Sequence, residues 1–206
     1  ALMAEPAYPL AFLEEDGEQS WPPQGEWTYE DYLRLPDDGR RYEVIRGHLY
    51  VSPAPIYDHQ FVVWQLARLL GNLVIEKNLG VILLSPFDIR LPMRIGDPVQ
   101  PDLAFVRAER VPRSGDRYFS GAPDLVIEVL SPGTRRYDRT IKLDAYRDAG
   151  VPEVWFLDPK PRTVQVYVLS ADGKEYVERE TRGPGETVTS TVLPDLRLEV
   201  SALFPR

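Results

Sequence analysis

Hydrophobic and polar residues recur with two periods along the chain, and the changes of period outline its elements. Residues 27–35 (WTYEDYLRL) predict a short helix, with Thr28 as N-cap and Asp31 three residues on. Residues 41–52 (RYEVIRGHLYVS) read as two strands around a tight turn at Arg46-Gly47. After the rigid connector Ser52-Pro53-Ala54-Pro55, residues 59–77 (HQFVVWQLARLLGNLVIEK) predict a long helix. Asp58 is its expected cap, Gly80 ends it, and its wide apolar face is expected to pack into the core. Residues 81–84, 99–106 (VQPDLAFV) and 124–130 (DLVIEVL) predict buried strands, the last two separated by an arginine-rich loop, 107–117. A second helix, capped by Asp138, runs to Gly150, and 154–157 (VWFL) is a fourth apolar strand. The segments 164–169, 176–179, 187–191 and 196–200 alternate like a meander. The order predicts an α/β (α+β) fold: a central mixed sheet flanked by helices, with additional β-hairpins. Residues 1–26, rich in Ala, Pro, Glu and Gly without a period, are expected to form a flexible acidic tail, and 27–206 a single domain.

Charge and composition narrow the chemistry. The net charge of −8 argues against a polyanion partner until it is located. Residues 1–38 hold ten acids and one base, whereas the remainder holds 23 bases and 22 acids. The body of the chain is therefore open to nucleic acid. With no cysteine, disulfides, thiolate metal sites and a cysteine nucleophile are excluded. Two histidines, His48 and His59, are too few for a three-histidine metal site. No apolar run approaches a membrane span, so no membrane partner is expected. No basic segment leads into an apolar one at the start, which makes the cytoplasm the default location. The P-loop, dinucleotide, serine-hydrolase and HExxH patterns are all absent. What remains is carboxylates and one lysine.

Asp102 opens the strand PDLAFV and, by alternation, shares a face with Ala104 and Val106. Glu128 sits inside the apolar run DLVIEVL. Burying an isolated carboxylate costs several kcal/mol unless a cation or donor compensates. Two carboxylates on neighbouring strands would also repel each other. A divalent cation relieves both problems, and Mg²⁺ takes one or two carboxylates plus waters and phosphate oxygens. The alternative is that Glu128 pairs with an arginine and Asp102 caps a turn. Lysine is scarce, four against twenty arginines, which draws attention to Lys142 on the second helix. It shares the sheet-facing stripe of Asp138, Ile141, Ala145 and Tyr146. A lysine there either serves chemistry, as a fixed ammonium near the nucleophile, or snorkels while paired with Asp138. His59 opens the long helix, where its ring reaches either a phosphate or the backbone. His48 reads as a surface residue. Arg107, Arg110, Arg113 and Arg117 form either a phosphate-contacting or a solvated loop, and Arg135, Arg136 and Arg139 lead towards Lys142.

The ordered set YEVIRGHLY, SPAP with His59, QPDLAFV, APDLVIEVLSP, D-x-x-x-K-x-x-x-Y (Asp138, Lys142, Tyr146) and AGVPEVWFLDP resembles the bacterial putative restriction endonuclease family, long filed as a domain of unknown function. That family belongs to the PD-(D/E)xK nuclease superfamily. The resemblance spans roughly residues 27–204. It implies a restriction-endonuclease-like fold with a central four-stranded mixed sheet. It implies Asp102 and Glu128 as metal ligands with the Val129 carbonyl, a Mg²⁺ or Mn²⁺ cofactor, and DNA as partner. The superfamily lysine is expected two residues after the acid, where this chain has Leu130; Lys142 matches a lysine moved to the following helix. Glu43 matches a further acid that precedes the core strands. Asp102, Glu128, Lys142, Glu43 and His59 are thus the expected catalytic set, with Arg113, Arg135, Arg136 and Arg139 on nucleic acid. The function implied is a metal-dependent endonuclease; the alternative is an inactive nuclease-fold module that binds nucleic acid or protein. A homodimer follows only from the resemblance, since no self-complementary patch stands out in the sequence.

Overall fold

A computed structural model describes residues 20–205. The first helix, α1 (Tyr29–Tyr32), is closed by a reciprocal cap: the Thr28 hydroxyl accepts from the Asp31 N–H, and the Asp31 carboxylate accepts from the Thr28 N–H. β1 (Arg41–Ile45) and β2 (His48–Ser52) pair antiparallel around Arg46-Gly47. Both turn residues have positive φ, the backbone that a two-residue hairpin of this twist demands. A Cβ at Gly47 would lie 2.3 Å from the Gly25 carbonyl oxygen, because Gly25 and Trp27 both donate their N–H to Gly47. Residues 21–26, expected in the tail, are thereby held against the hairpin, and the Gln24 amide exchanges two bonds with the Leu49 backbone. The preceding part of the expected tail, 1–19, lies outside the described residues.

The chain continues through α2 (Tyr57–Glu76), β3 (Gly80–Leu84), β4 (Asp88–Arg90), β5 (Leu103–Arg107), β6 (Tyr118–Ser120) and β7 (Leu125–Val129). A helical run follows, made of α3 (Arg135–Tyr137), a π-helical turn (Asp138–Lys142) and α4 (Leu143–Ala149), and Gly150 closes it at φ +81°. β8 (Glu153–Asp158), β9 (Thr163–Leu169), β10 (Tyr176–Arg182), β11 (Thr187–Thr189) and β12 (Arg197–Glu199) complete the order. Among the described residues, no helix is long and apolar enough to cross a membrane.

The central sheet has the order β10-β9-β8-β7-β5-β3, with β7 and β8 parallel and the other pairs antiparallel. It is the expected mixed sheet. The four strands implied by the resemblance become six because the β9–β10 hairpin adds to β8. Alternation sorts each strand between two cores. Leu103, Phe105, Leu125, Ile127, Trp155 and Leu157 pack with Val62, Leu66 and Leu70 of α2 and with the C-terminal Leu196 and Leu203. Ala104, Val106, Val126, Val154 and Phe156 face Ala145 and Tyr146 of α4 and Ile45 and Tyr50 of the hairpin. Asp102 and Glu128 belong to this second face.

Several boundaries differ from the sequence reading, and α2 closes at Lys77, so Gly80 opens β3 instead of ending the helix. Asp58 does not cap α2: Ile56 holds the N-cap position without a side-chain bond, and Asp58 lies in the first turn. Its charge still suits the helix N-terminus. Asp138 does not cap the second helix, which starts a turn earlier at Arg135. The strand expected over 99–106 begins at Leu103, since Val99 bridges only to Ile89.

Glu153 is buried on β8 and its carboxylate collects donors from the returning C-terminal segment. Oε1 accepts from the Trp155 indole and the Ser190 hydroxyl, each at 2.7 Å, and Oε2 from the Thr191 N–H at 2.7 Å and the Thr191 hydroxyl. The carboxylate therefore ties residues 190–191 to the sheet. Glu153→Ala strands these donors and is expected to lower the unfolding free energy by about 3 kcal/mol. Urea unfolding followed by circular dichroism measures it; a midpoint unchanged from wild type would refute the latch.

Candidate active site

A cleft of about 810 Å³ opens between the N-terminal region, the Ser52–Ile56 connector, the start of α2 and the loop 131–134. Asp102 lies in it, one step before β5, where the chain has just passed Pro101. β5 pairs Leu103 with Ile127, so the antiparallel register carries Asp102 opposite Glu128. The Asp102 carboxylate is buried and both of its oxygens have partners, though Oδ1 accepts only from Arg41. Oδ1 accepts from Arg41 Nη1 at 2.7 Å, and Oδ2 accepts from the Val129 N–H at 2.8 Å and lies 3.1 Å from His59 Nε2. Burial alone would raise its pKa. The Arg41 guanidinium, the His59 bond and the charges around it outweigh burial and hold it below the usual carboxylate range.

Behind Asp102 the site continues into the core. Lys142 Nζ, wholly buried, stands 2.6 Å from Glu128 Oε1 and 3.1 Å from Glu43 Oε1, with Asp138 at 4.0 Å. These are ion-pair contacts off the line of ideal hydrogen bonds. Burial would lower the Lys142 pKa, but Glu128, Glu43 and Asp138 raise it, so the residue stays an ammonium. Glu128 Oε1 also accepts from the Tyr146 hydroxyl at 2.5 Å, and Glu43 Oε1 from the Gln100 N–H at 2.6 Å. Burial, then the charges of Asp102 and Glu43, push the Glu128 pKa up against the pull of Lys142. The π-helical turn ends on Lys142 and turns both it and Asp138 inward.

The structure thus brings Asp102, Glu128, Glu43, Lys142, His59 and the Val129 backbone into one cluster. The arginines are distributed differently. Arg135 pairs with Asp158, Arg139 with Gln165, and Arg107 and Arg110 with Asp124. Arg136, Arg113 and Arg117 are exposed. None of these lines the cleft, whose arginines are Arg40 and Arg41. His48 is half-buried and its Nδ1 meets the Arg46 carbonyl. Arg41 went unrecognised in the sequence, although alternation along β1 puts it on the face of Glu43. Tyr146 stands four residues after Lys142, on α4, but its acceptor, Glu128, comes from β7.

Asp138 offers a separate electrostatic handle. Burial, then the Glu128 and Asp102 charges, push its pKa up to about 8 from 3.8, despite Lys142. The native state therefore keeps a proton that the unfolded chain releases. The stability this proton confers is complete below pH 3.8 and is lost as pH rises to about 8. Asp138→Asn should melt higher than wild type at pH 8, with the difference shrinking towards pH 5. Parallel melting curves across that range would show that the proton is not held.

Acids from neighbouring strands of a mixed sheet, backed by a buried lysine and reaching a cleft through Asp102, define a protein of nuclease fold. Among solved structures the chain is similar to a putative nuclease belonging to DUF820 from Anabaena variabilis ATCC 29413, at 23% identity and a TM-score of 0.72. That match covers 86% of this chain and 97% of the other, and it is a likeness of fold. The chain belongs to the Uma2 family, described as putative restriction endonuclease, whose model matches residues 29–201. No curated protein gives a significant match. The family supports a nuclease as the coarse activity.

Proposed function

We propose that the protein is a metal-dependent endonuclease that hydrolyses DNA phosphodiester bonds, acting in the cytoplasm. The observation that carries this reading is a buried acid excess that reaches the cleft at Asp102 and continues behind it into the core. Glu43, Asp102, Glu128 and Asp138 are set against two permanent cations, Arg41 and Lys142. Even with Asp138 protonated the cluster favours a further positive charge. Its donors are carboxylate oxygens, the ligands Mg²⁺ and Mn²⁺ take. Among the described residues no group of three or more histidines and acids is spaced to hold an ion. A pair of carboxylates completed by substrate oxygens is nonetheless the habit of Mg²⁺. Asp102 and Glu128, with the Val129 carbonyl, are the residues that would hold it. A bound divalent ion supplies Lewis-acid stabilisation of charge on the phosphate.

The remaining roles fall to the chain itself. Arg41 reaches the cleft with a planar, always-charged fork; one nitrogen holds Asp102, and its buried Nε has no hydrogen-bond partner among the described residues. It is placed to bind a phosphodiester oxygen beside Asp102. His59 sets its Nε2 3.1 Å from Asp102 Oδ2, and its buried Nδ1 has no hydrogen-bond partner among the described residues, so the ring is placed to orient the carboxylate. Lys142 lies away from the cleft lining and fixes Glu128 and Glu43 in place, which makes it a positioning residue. Phosphate-backbone contacts of this kind carry no base preference.

Calorimetric titration with Mg²⁺ and Mn²⁺ tests the reading without a known substrate. Saturable binding in wild type that vanishes in Asp102→Asn is expected, together with plasmid nicking that needs the same ion. Equal ion binding in both proteins and no nicking of any DNA would favour a nuclease-fold binding module instead.

A further inference from the structure

Helix α2 presents apolar side chains on two opposite faces, with His59 at the start of the buried one. His59, Val62, Leu66, Leu70 and Val74 are buried against the sheet. On the opposite side, Tyr57 is 70% exposed, Trp64 57% and Ile75 79%. The wide apolar face read from the sequence is therefore only half inside the core.

These exposed residues, with exposed Arg68 and the half-buried Phe61 and Gly71, are not scattered. Tyr57, Phe61, Trp64, Arg68, Gly71 and Ile75 follow one another at spacings of four, three, four, three and four. That is the heptad spacing of a helix-pairing seam, sustained along the whole helix. Its rings already form a ladder, Tyr57 to Phe61 at 6.0 Å and Phe61 to Trp64 at 5.7 Å between centroids. Gly71 adds an independent sign. It sits within a helix, where glycine costs about 1 kcal/mol relative to alanine. Yet a Cβ there would meet nothing within 4 Å, so this chain does not require it. A half-buried glycine with room at its Cβ position, in an apolar seam, suits a close approach from outside.

The seam is complementary to itself when reversed. Laid antiparallel on a second copy, Phe61 falls on the partner's Gly71, a large side chain on an open position. Trp64 falls on the partner's Arg68, an aromatic face on a guanidinium that Gln65 already holds by two bonds. Tyr57 falls on the partner's Ile75. No acid lies in the seam, and the two Arg68 side chains meet tryptophans rather than each other. The exposed seam side chains Tyr57, Trp64 and Ile75 amount to on the order of 500 Å² per protomer, or ~1,000 Å² over two copies, the lower bound for a specific interface.

We propose that the solvent face of α2 is a homodimer interface in which two copies pair antiparallel through Tyr57, Phe61, Trp64, Arg68, Gly71 and Ile75. The two-fold axis lies perpendicular to the paired helices. It keeps the cleft-lining Ile56, Gln60 and Val63 of both copies on the same side of the pair.

Sedimentation equilibrium on the full chain is the first test. A dimer is expected, and Trp64→Glu should raise its dissociation constant by roughly a hundredfold or more. Because the residue is exposed, the variant's circular dichroism and melting should match the wild-type monomer. The absence of cysteine gives a second test, since introduced thiols are the only ones present. Residues 61 and 71 of one helix are about 15 Å apart along its axis and cannot join within a chain. The double variant Phe61→Cys, Gly71→Cys should give a covalent dimer with diamide, and Phe61→Cys alone should not. A wild type that stays monomeric at high concentration overturns the proposal. So does a dimer indifferent to Trp64→Glu, cross-linking by Phe61→Cys alone, or a monomer in which Trp64→Glu only weakens binding of single-stranded oligonucleotides.

Discussion

Lys142→Met should cost the protein about 3–5 kcal/mol of stability, the scale for removing one partner of a buried ion pair. The ammonium has no exposure and touches both Glu128 and Glu43, so its loss leaves two carboxylates in a low-dielectric interior. Native stabilities lie near 5–15 kcal/mol, so a third or more of the total is at stake. For a chain of this size the melting temperature should fall by roughly 6–20 °C. Burial, with the Asp102 and Glu43 charges, already raises the Glu128 pKa, and losing Lys142 raises it further. Protonating Glu128 then relieves part of the loss, so the deficit should be smaller at pH 5 than at pH 8. Adding Glu128→Gln to Lys142→Met should recover part of it, because the second change removes a stranded charge. Thermal melts of the single and double variants at both pH values check this. A Lys142→Met protein that melts within a degree or two of wild type would mean the cluster does not depend on its central cation. The practical consequence is that inactivity of a lysine variant, taken alone, says nothing about chemistry.

Much of this cluster was legible because burial and alternation are local. Asp102 with Ala104 and Val106, and Glu128 with Val126, fall on the predicted faces of β5 and β7, and Lys142 on the predicted stripe of its helix. What sequence could not convey is which distant group answers which charge. Arg41 meets Asp102 across 61 residues, and Tyr146 meets Glu128 only because β7 and α4 pack together. Glu153 is similar: the donors that satisfy it return 37 and 38 residues later. Two aspartates resembled caps, but a cap is defined by backbone angles that composition does not carry. The β4–β6 pair has three residues per strand, too few for a period to register. On α2 the period registered correctly, yet it does not distinguish an apolar face covered by the sheet from one left open.

Asp102→Asn should abolish most DNA cleavage while leaving the protein folded, which separates it from Lys142→Met. The amide keeps the shape and can still accept from Arg41, so the cleft retains its walls. It loses the second carboxylate oxygen, which accepts from the Val129 N–H and faces His59. That loss should cost about 1–3 kcal/mol of stability. The effect on turnover should be larger, roughly a hundred- to a thousandfold or more, as when one electrostatic stabiliser of a developing charge is removed. Acid behaviour gives an independent signature. The Asp102 pKa is lowered in the folded state, so its stabilisation is complete above the ordinary value of 3.8 and is lost as pH falls below it. Wild type should therefore lose stability more steeply than Asp102→Asn in acid, the two curves converging as the carboxylate protonates. A variant that nicks plasmid at the wild-type rate would remove Asp102 from the chemistry. A variant inactive but identical to wild type in its acid unfolding would break the link between the ion pair with Arg41 and the charge at the cleft. Retained acid signature loss together with lost cleavage would tie both to the one carboxylate that Arg41, His59 and Val129 hold in place.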